Sequence, residues 1–152
     1  MNTPIKNEDQ TFLLSKLDGS GSDSEHAAIE KLSHMGNQLP ELLSEKYDLA
    51  KGWSERSACV YYSIGYARES NAALALGIKA LEDKSKQVRY RACMLLAWSL
   101  NKEALFTLRR VEGAYTDEES LSDIRAAIDA IENQNSNYFV DRDHTGMITL
   151  NV

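Results

Sequence analysis

Two cysteines, three histidines and an acidic turn near the C-terminus carry the side chains of this sequence best suited to chemistry. Cys59 and Cys93 stand 34 residues apart, each inside an apolar helical pattern, with no Cys-x-x-Cys and no histidine at ligand spacing. Neither a disulfide framework nor a zinc site follows from that pattern. Each thiol is expected to be reduced and packed, since free cysteine behaves as a small buried hydrophobe. His26, His34 and His144 are too scattered to make a catalytic Cys/His pair. Asp141, Asp143, Thr145 and Gly146 with Ile148 imitate the opening of a calcium loop, whose first, third and fifth positions supply oxygens and whose sixth needs a glycine. The bidentate glutamate such a loop requires at its end is replaced by Val152, so no metal site is assigned. His144 reads as a solvent-facing turn residue. No nucleophile elbow, Gly-rich phosphate loop or His-Glu-x-x-His occurs. The chain is therefore read as non-enzymatic, with no catalytic residue and no cofactor.

What remains is the chemistry of recognition. Trp, Tyr and Arg are the residue types enriched at interface hot spots, and they act only when rigid elements hold them in one surface. The frame available is 152 residues and 17.0 kDa, with 43% hydrophobic and 26% charged residues. That is the profile of one ordinary domain. No apolar run approaches the ~20 residues needed to cross a bilayer, and the start, MNTPIKNEDQ, is polar with no apolar signal region after it. A cytoplasmic protein without a membrane partner is expected.

Residues 1–21 form an N-terminal segment with one short apolar group, Phe12, Leu13, Leu14 and Leu17, followed by a loop over Asp18 to Ser22. A helix then carries Ala27, Ala28, Ile29, Leu32 and Met35 and ends at Gly36. The next opens at Pro40, a residue favoured in a first turn, and closes at Gly52. From residue 53 to 133 the pattern repeats: five helical stretches of about 12 to 17 residues, apolar at three and four spacing, with short polar joints. Ala58-Cys59 falls on Ala92-Cys93 at a shift of 34, and Val88-Arg89 falls on Ile124-Arg125 at a shift of 36. Helix pairs thus recur, and each needs a stacked neighbour to bury its apolar stripe.

DKSKQVRYRACMLLAWSL resembles the second helix of a HEAT-like, armadillo-type repeat: an Asp in the turn, then Val-Arg, then small and apolar residues at helical spacing. Asp83, Val88, Arg89, Ala92 and Leu95 carry the resemblance, and Asp117, Ile124, Arg125 and Ile131 carry it more loosely. Ser54 and Glu55 depart from it, because the Val-Arg pair is absent there. The resemblance implies an all-α solenoid of three to four helix pairs in a single domain, 1–152, with 22–52 as a degenerate capping repeat and 53–133 as clear repeats. Asp83, Val88, Arg89, Ile124 and Arg125 are then scaffolding. Asp83 would accept N–H groups at the start of the next helix, and Arg89 would bridge to a neighbouring repeat. It further implies that second helices line a concave surface, so the partner-binding set is read as Trp53, Arg56, Tyr90, Arg91, Met94, Trp98 and Asp129. Met94 and Trp98 have an alternative place beneath the following helix pair, and most of Tyr61, Tyr62 and Tyr66 is expected in the core.

The tail, 137–152, breaks the helical period. Tyr138 to Asp141 and Met147 to Val152 are rich in β formers around turn residues, which predicts a short C-terminal β-hairpin.

Charge bears on the partner. The net charge is −6, with five basic and nine acidic residues in 1–52, ten and six in 53–115, and two and eight in 116–152. Acidic ends disfavour nucleic acid, whose phosphates need Lys and Arg, and favour a basic protein. Small acidic proteins of this kind resemble bacterial immunity proteins, which neutralise toxins that are often basic nucleases. The alternatives are a HEAT-like DNA-binding or DNA-glycosylase-type enzyme, a phycobilin-lyase-like protein, and a passive assembly scaffold. The oligomeric state is left open.

Overall fold

Three of the α-helices start at side chains that satisfy one of their first N–H groups. The computed structural model describes residues 6–152, so the first five residues of the N-terminal segment lie outside the described residues. After α1 (Asn7–Ser15), α2 (Asp23–Leu32) begins where Ser22 Oγ accepts the Glu25 N–H at 3.1 Å. A 3-10 stretch over Ser33–Gln38 follows, with Gly36 at φ +61°, and α3 (Leu39–Leu49) carries Pro40 in its first turn. α4 (Trp53–Tyr61) is short; α5 (Asn71–Ala80) opens where Ser70 Oγ accepts the Ala73 N–H at 3.1 Å. α6 (Lys86–Ser99) and α7 (Leu105–Glu112) precede α8 (Glu118–Glu132), which starts where Asp117 Oδ2 accepts the Ser120 N–H at 3.0 Å. A cap of this kind is worth about 1 kcal/mol.

Packing makes α6 the centre of the molecule. It lies between α4 and α8 on one side and against α5 on the other; α3 packs on α4 and α5, and α7 packs on α8. Leu76, Leu81, Val88, Leu95, Leu96, Ile124 and Ile131 close the core between these helices and are no more than 1% exposed. Full burial of one such side chain contributes about 1.5–3 kcal/mol. Gly77 lets α5 approach α6, since a Cβ there would sit 2.5 Å from Leu95 Cδ2.

Two expectations need correction. No strand occurs among the described residues, so the C-terminal β-hairpin is absent. Ser136–Phe139 is instead a 3-10 turn, and the chain beyond it is held by side chains. Asp141 accepts from Thr145 N, Thr145 Oγ1 and Gly146 N at 2.7–2.9 Å, and the Leu150 N–H donates to Asn137 Oδ1 at 2.9 Å. Those bonds occupy the backbone groups a strand ladder would have used. A solenoid of three to four equivalent pairs is not established either. α4, α6 and α8 form one continuous layer, whereas α5 and α7 share no comparable contact, and α2 and the loop before it join α4 through the Glu25–Tyr62 and Ser54–Asp18 bonds.

Buried polar groups fix the layer. Arg56 Nε and Nη2 donate to Asp83 at 2.8 and 3.2 Å, Tyr47 Oη donates to it at 2.6 Å, and the Ser85 N–H donates at 2.9 Å. Burial pushes the Asp83 carboxyl up, but the Arg56, Tyr47 and Ser85 donors outweigh that and hold it below the usual carboxylate range. One helix along, Arg89 Nη1 donates to the Asp83 carbonyl at 2.8 Å, Nε and Nη2 donate to Ser120 Oγ at 3.2 and 2.8 Å, and Asp117 lies 3.7 Å away. Tyr115 stacks beneath its guanidinium at 4.6 Å. In the first turn of α2, Glu25, 1% exposed, accepts from the Gly19 and Gly21 N–H groups of the preceding loop and from Tyr62 Oη at 2.8–3.1 Å.

Candidate functional site

The first halves of α4, α6 and α8 lie side by side, so residues at the starts of three helices share one surface. An open groove of about 810 Å³ runs across them. Its α4 wall is Trp53 and Ser57, its floor on α6 includes Gln87, Tyr90 and Arg91, and its α8 wall is Glu118, Glu119, Ser122 and Asp123. Arg142 reaches over from the tail and closes the α8 side, donating to Ser122 Oγ at 2.6 Å and Asp123 Oδ1 at 3.1 Å. A smaller recess of about 270 Å³ continues from Trp53 past Tyr61, Tyr62 and His26 to the Gly19 loop, and Arg91 lines both spaces.

The aromatic end is exposed and carries an unpaired cation. Trp53 is 51% and Tyr61 47% exposed. The Arg91 guanidinium stands 4.6 Å from the Tyr61 ring centroid and 5.8 Å from that of Tyr90. Among the described residues no acceptor takes a hydrogen bond from Arg91 and no carboxylate pairs with it. At the other end Glu118 and Glu119 are exposed without a basic partner, while Lys86 lies 3.8 Å from Asp117. Asp123 is the perturbed group of the groove: burial pushes its carboxyl up, Arg142 draws it down, Glu119 and Asp117 push it up again, and the result lies above the usual range.

Of the expected partner-binding set, Trp53, Tyr90 and Arg91 are brought together in the groove. Arg56 is 8% exposed and bound to Asp83, and Met94 is 8% exposed in the core. Trp98 is half-buried beneath Arg68, whose guanidinium stands 3.7 Å over its ring and whose Nε donates to the Trp98 carbonyl at 2.7 Å. Asp129 faces a separate cleft of about 400 Å³ across Arg142 and bonds His144 Nε2 at 2.5 Å. His144, at φ +56°, stacks on Tyr138 at 3.7 Å and so clamps the tail to α8. Of the scaffolding set, Val88 and Ile124 are in the core, Asp83 and Arg89 sit in the buried polar network, and Arg125 is exposed and pairs with Glu112 at 3.2 Å.

Sequence reasoning missed the acidic wall, Arg142 and Tyr61. The signal available was spacing: Trp53, Ser57 and Tyr61 recur at four residues, as do Gln87 and Arg91, and Glu118 with Ser122. The calcium-like loop has its Asp141 oxygens turned onto its own N–H groups, and no described group of three His, Cys, Asp or Glu side chains is arranged to hold a metal ion. Both thiols are buried; desolvation pushes Cys59 up to about 12 and raises Cys93 as well, so neither is a thiolate at neutral pH. No described helix is long and apolar enough to cross a membrane. No protein-family model matches the chain, and comparison with the curated proteins returns no match.

Proposed function

We propose that this chain is a non-enzymatic binding module that seats another protein across α4, α6 and α8. The observation that carries the reading is the coincidence of a half-exposed Trp53 and an unpaired Arg91 in one open groove. Both residue types anchor interfaces because they combine large contact area with directed polar groups. An excess of six negative charges favours a cationic partner and speeds its encounter. The concrete form of the reading is an immunity protein that neutralises a basic, nuclease-type bacterial toxin.

A photo-crosslinking residue at Ser57, in the groove, and one at Phe106, 78% exposed on α7, separate this function from a passive scaffold. One cognate protein should cross-link at position 57 and not at 106, with a yield that falls as salt rises. Cross-linking at 106 alone, or of this chain to itself at 57, contradicts the proposal.

A further inference from the structure

The groove has Arg91 at one end and Glu118, Glu119 and Asp123 at the other, where Lys86 and Arg142 also line it. Arg142 answers Asp123 and Lys86 lies beside Asp117, so that among the described residues Arg91, Glu118 and Glu119 keep no ion-pair partner. At one end the Arg91 guanidinium carbon stands 4.6 Å from the Tyr61 ring centroid and 5.8 Å from that of Tyr90, and among the described residues its N–H donors have no acceptor. A guanidinium is a planar fork that matches a carboxylate with two parallel bonds, and the neighbouring tyrosine rings limit the freedom Arg91 has to lose when they form. At the other end Glu118 and Glu119 stand unpaired beside Asp123, which already shares Arg142. Lysine or arginine from outside would complete that end.

Resting on the proposed protein-binding role, we infer that the groove receives an extended segment of the partner carrying a carboxylate side chain for Arg91 and a lysine or arginine for Glu118 and Glu119. Charge complementarity selects this occupant over the others. A phosphate, on nucleic acid or on a modified residue, would gain the Arg91 fork but bring extra negative charge beside the acidic α8 wall. A second copy of this chain has self-complementary ends but carries the same net charge of −6, which opposes association. The segment is read by side chains of both signs, so the order of its charges is fixed along the groove, and a reversed segment would meet like charge at both ends.

Blocked octapeptides on a Gly/Ser background test this directly, with Glu and Lys placed at every spacing from one to five in both orders. Each is titrated into the full chain while the Arg91 Nε–H and Trp53 indole N–H resonances are followed. Companion peptides replace Glu by Gln, replace Glu by phosphoserine, or carry their only carboxylate at a free C-terminus. One order of the Glu/Lys pair should shift both resonances, and Gln for Glu or Arg91→Gln should weaken binding by about ten-fold, the loss of one charged hydrogen-bonded pair. Arg91→Gln should keep the wild-type thermal midpoint. The inference is overturned if no Glu/Lys peptide shifts these resonances, if both orders bind equally, if phosphoserine or the free C-terminus binds more tightly than Glu, or if the resonances move on dilution alone, which marks a dimer. A partner that cross-links at position 57 with undiminished affinity for the Arg91→Gln protein defeats this inference alone. Failure of cross-linking at that position defeats the protein-binding role itself.

Discussion

Arg89 and Arg91 leave the same helix two residues apart and meet opposite fates. Arg89 is 7% exposed, and its donors are taken by the Asp83 carbonyl and Ser120, with Tyr115 beneath. Arg91 also lies beside tyrosines, but among the described residues none takes a hydrogen bond from its N–H groups, which line the groove. A buried guanidinium is tolerated only when its charge and hydrogen bonds are answered inside the protein. One left unanswered at a surface cleft does nothing for the fold that a simpler residue could not do. The contrast separates what assembles α4, α6 and α8 from what they present.

The largest effect should come from breaking the answered network. Arg56→Ala leaves Asp83 and Tyr47 buried without their cation and should cost about 3–5 kcal/mol in urea unfolding. Arg91→Ala, by contrast, loses only ring contacts and should cost less than about 1 kcal/mol. Equal losses in the two variants would erase the distinction between frame and face.

A next, smaller effect lies where the N-terminal loop joins the groove. Gly19 sits at φ +81° with Ser54 O 2.4 Å from where a Cβ would lie, and Ser54 Oγ donates to the Asp18 carbonyl at 2.7 Å. Gly19→Ala should therefore destabilise by about 2 kcal/mol from the backbone conformation and the clash together, read from the thermal midpoint. Unchanged stability would show that the loop is not held against α4.

Acid should act on the frame and on the face with opposite sign. The Asp83 carboxyl is held below its ordinary range, so the unfolded chain binds its proton first as pH falls. The stability it contributes is complete above the ordinary carboxylate range and is lost as pH drops through its folded value. Asp83→Asn should flatten that part of the stability profile. Asp123 has the opposite sign: its carboxyl is raised, so its ionisation opposes folding as pH rises through the raised value. Asp123→Asn should cost little at neutral pH. A steep loss there would mean that its bond to Arg142 outweighs its burial.

The smallest effect is optical. Trp53 is half-exposed while Trp98 lies under Arg68, so acrylamide should quench mainly Trp53, and Trp53→Phe should remove most of the quenchable emission. Equal quenching of the two tryptophans would place Trp98 on the face as well.

Helices and much of the core were legible in the sequence because apolar spacing and polar caps act locally. Ser22, Ser70 and Asp117 mark helix starts by chemistry available within four residues. Arg56 was misread because the 34-residue shift aligns Glu55, not Arg56, with Arg89. The structure gives Arg56 and Arg89 comparable roles at a shift of 33, each reaching the turn before the next helix of the α4, α6, α8 layer. The tail was misread because Tyr, Phe, Val and Ile favour a strand only when another strand offers a ladder. Here Asp141 and Asn137 take the backbone N–H groups first. The acidic wall was overlooked because the spacing of Glu118 and Ser122 puts them on one face of α8 but does not say that α6 lies beside it, which is a long-range fact.

Hydrogen exchange of the full chain, free and with the partner captured at position 57, tests the central claim most directly. Amides in the first halves of α4, α6 and α8 should exchange more slowly in the complex, while those of α7 stay unchanged. Slowing confined to α7 or to the cleft around Asp129, with the groove unaffected, would contradict the account.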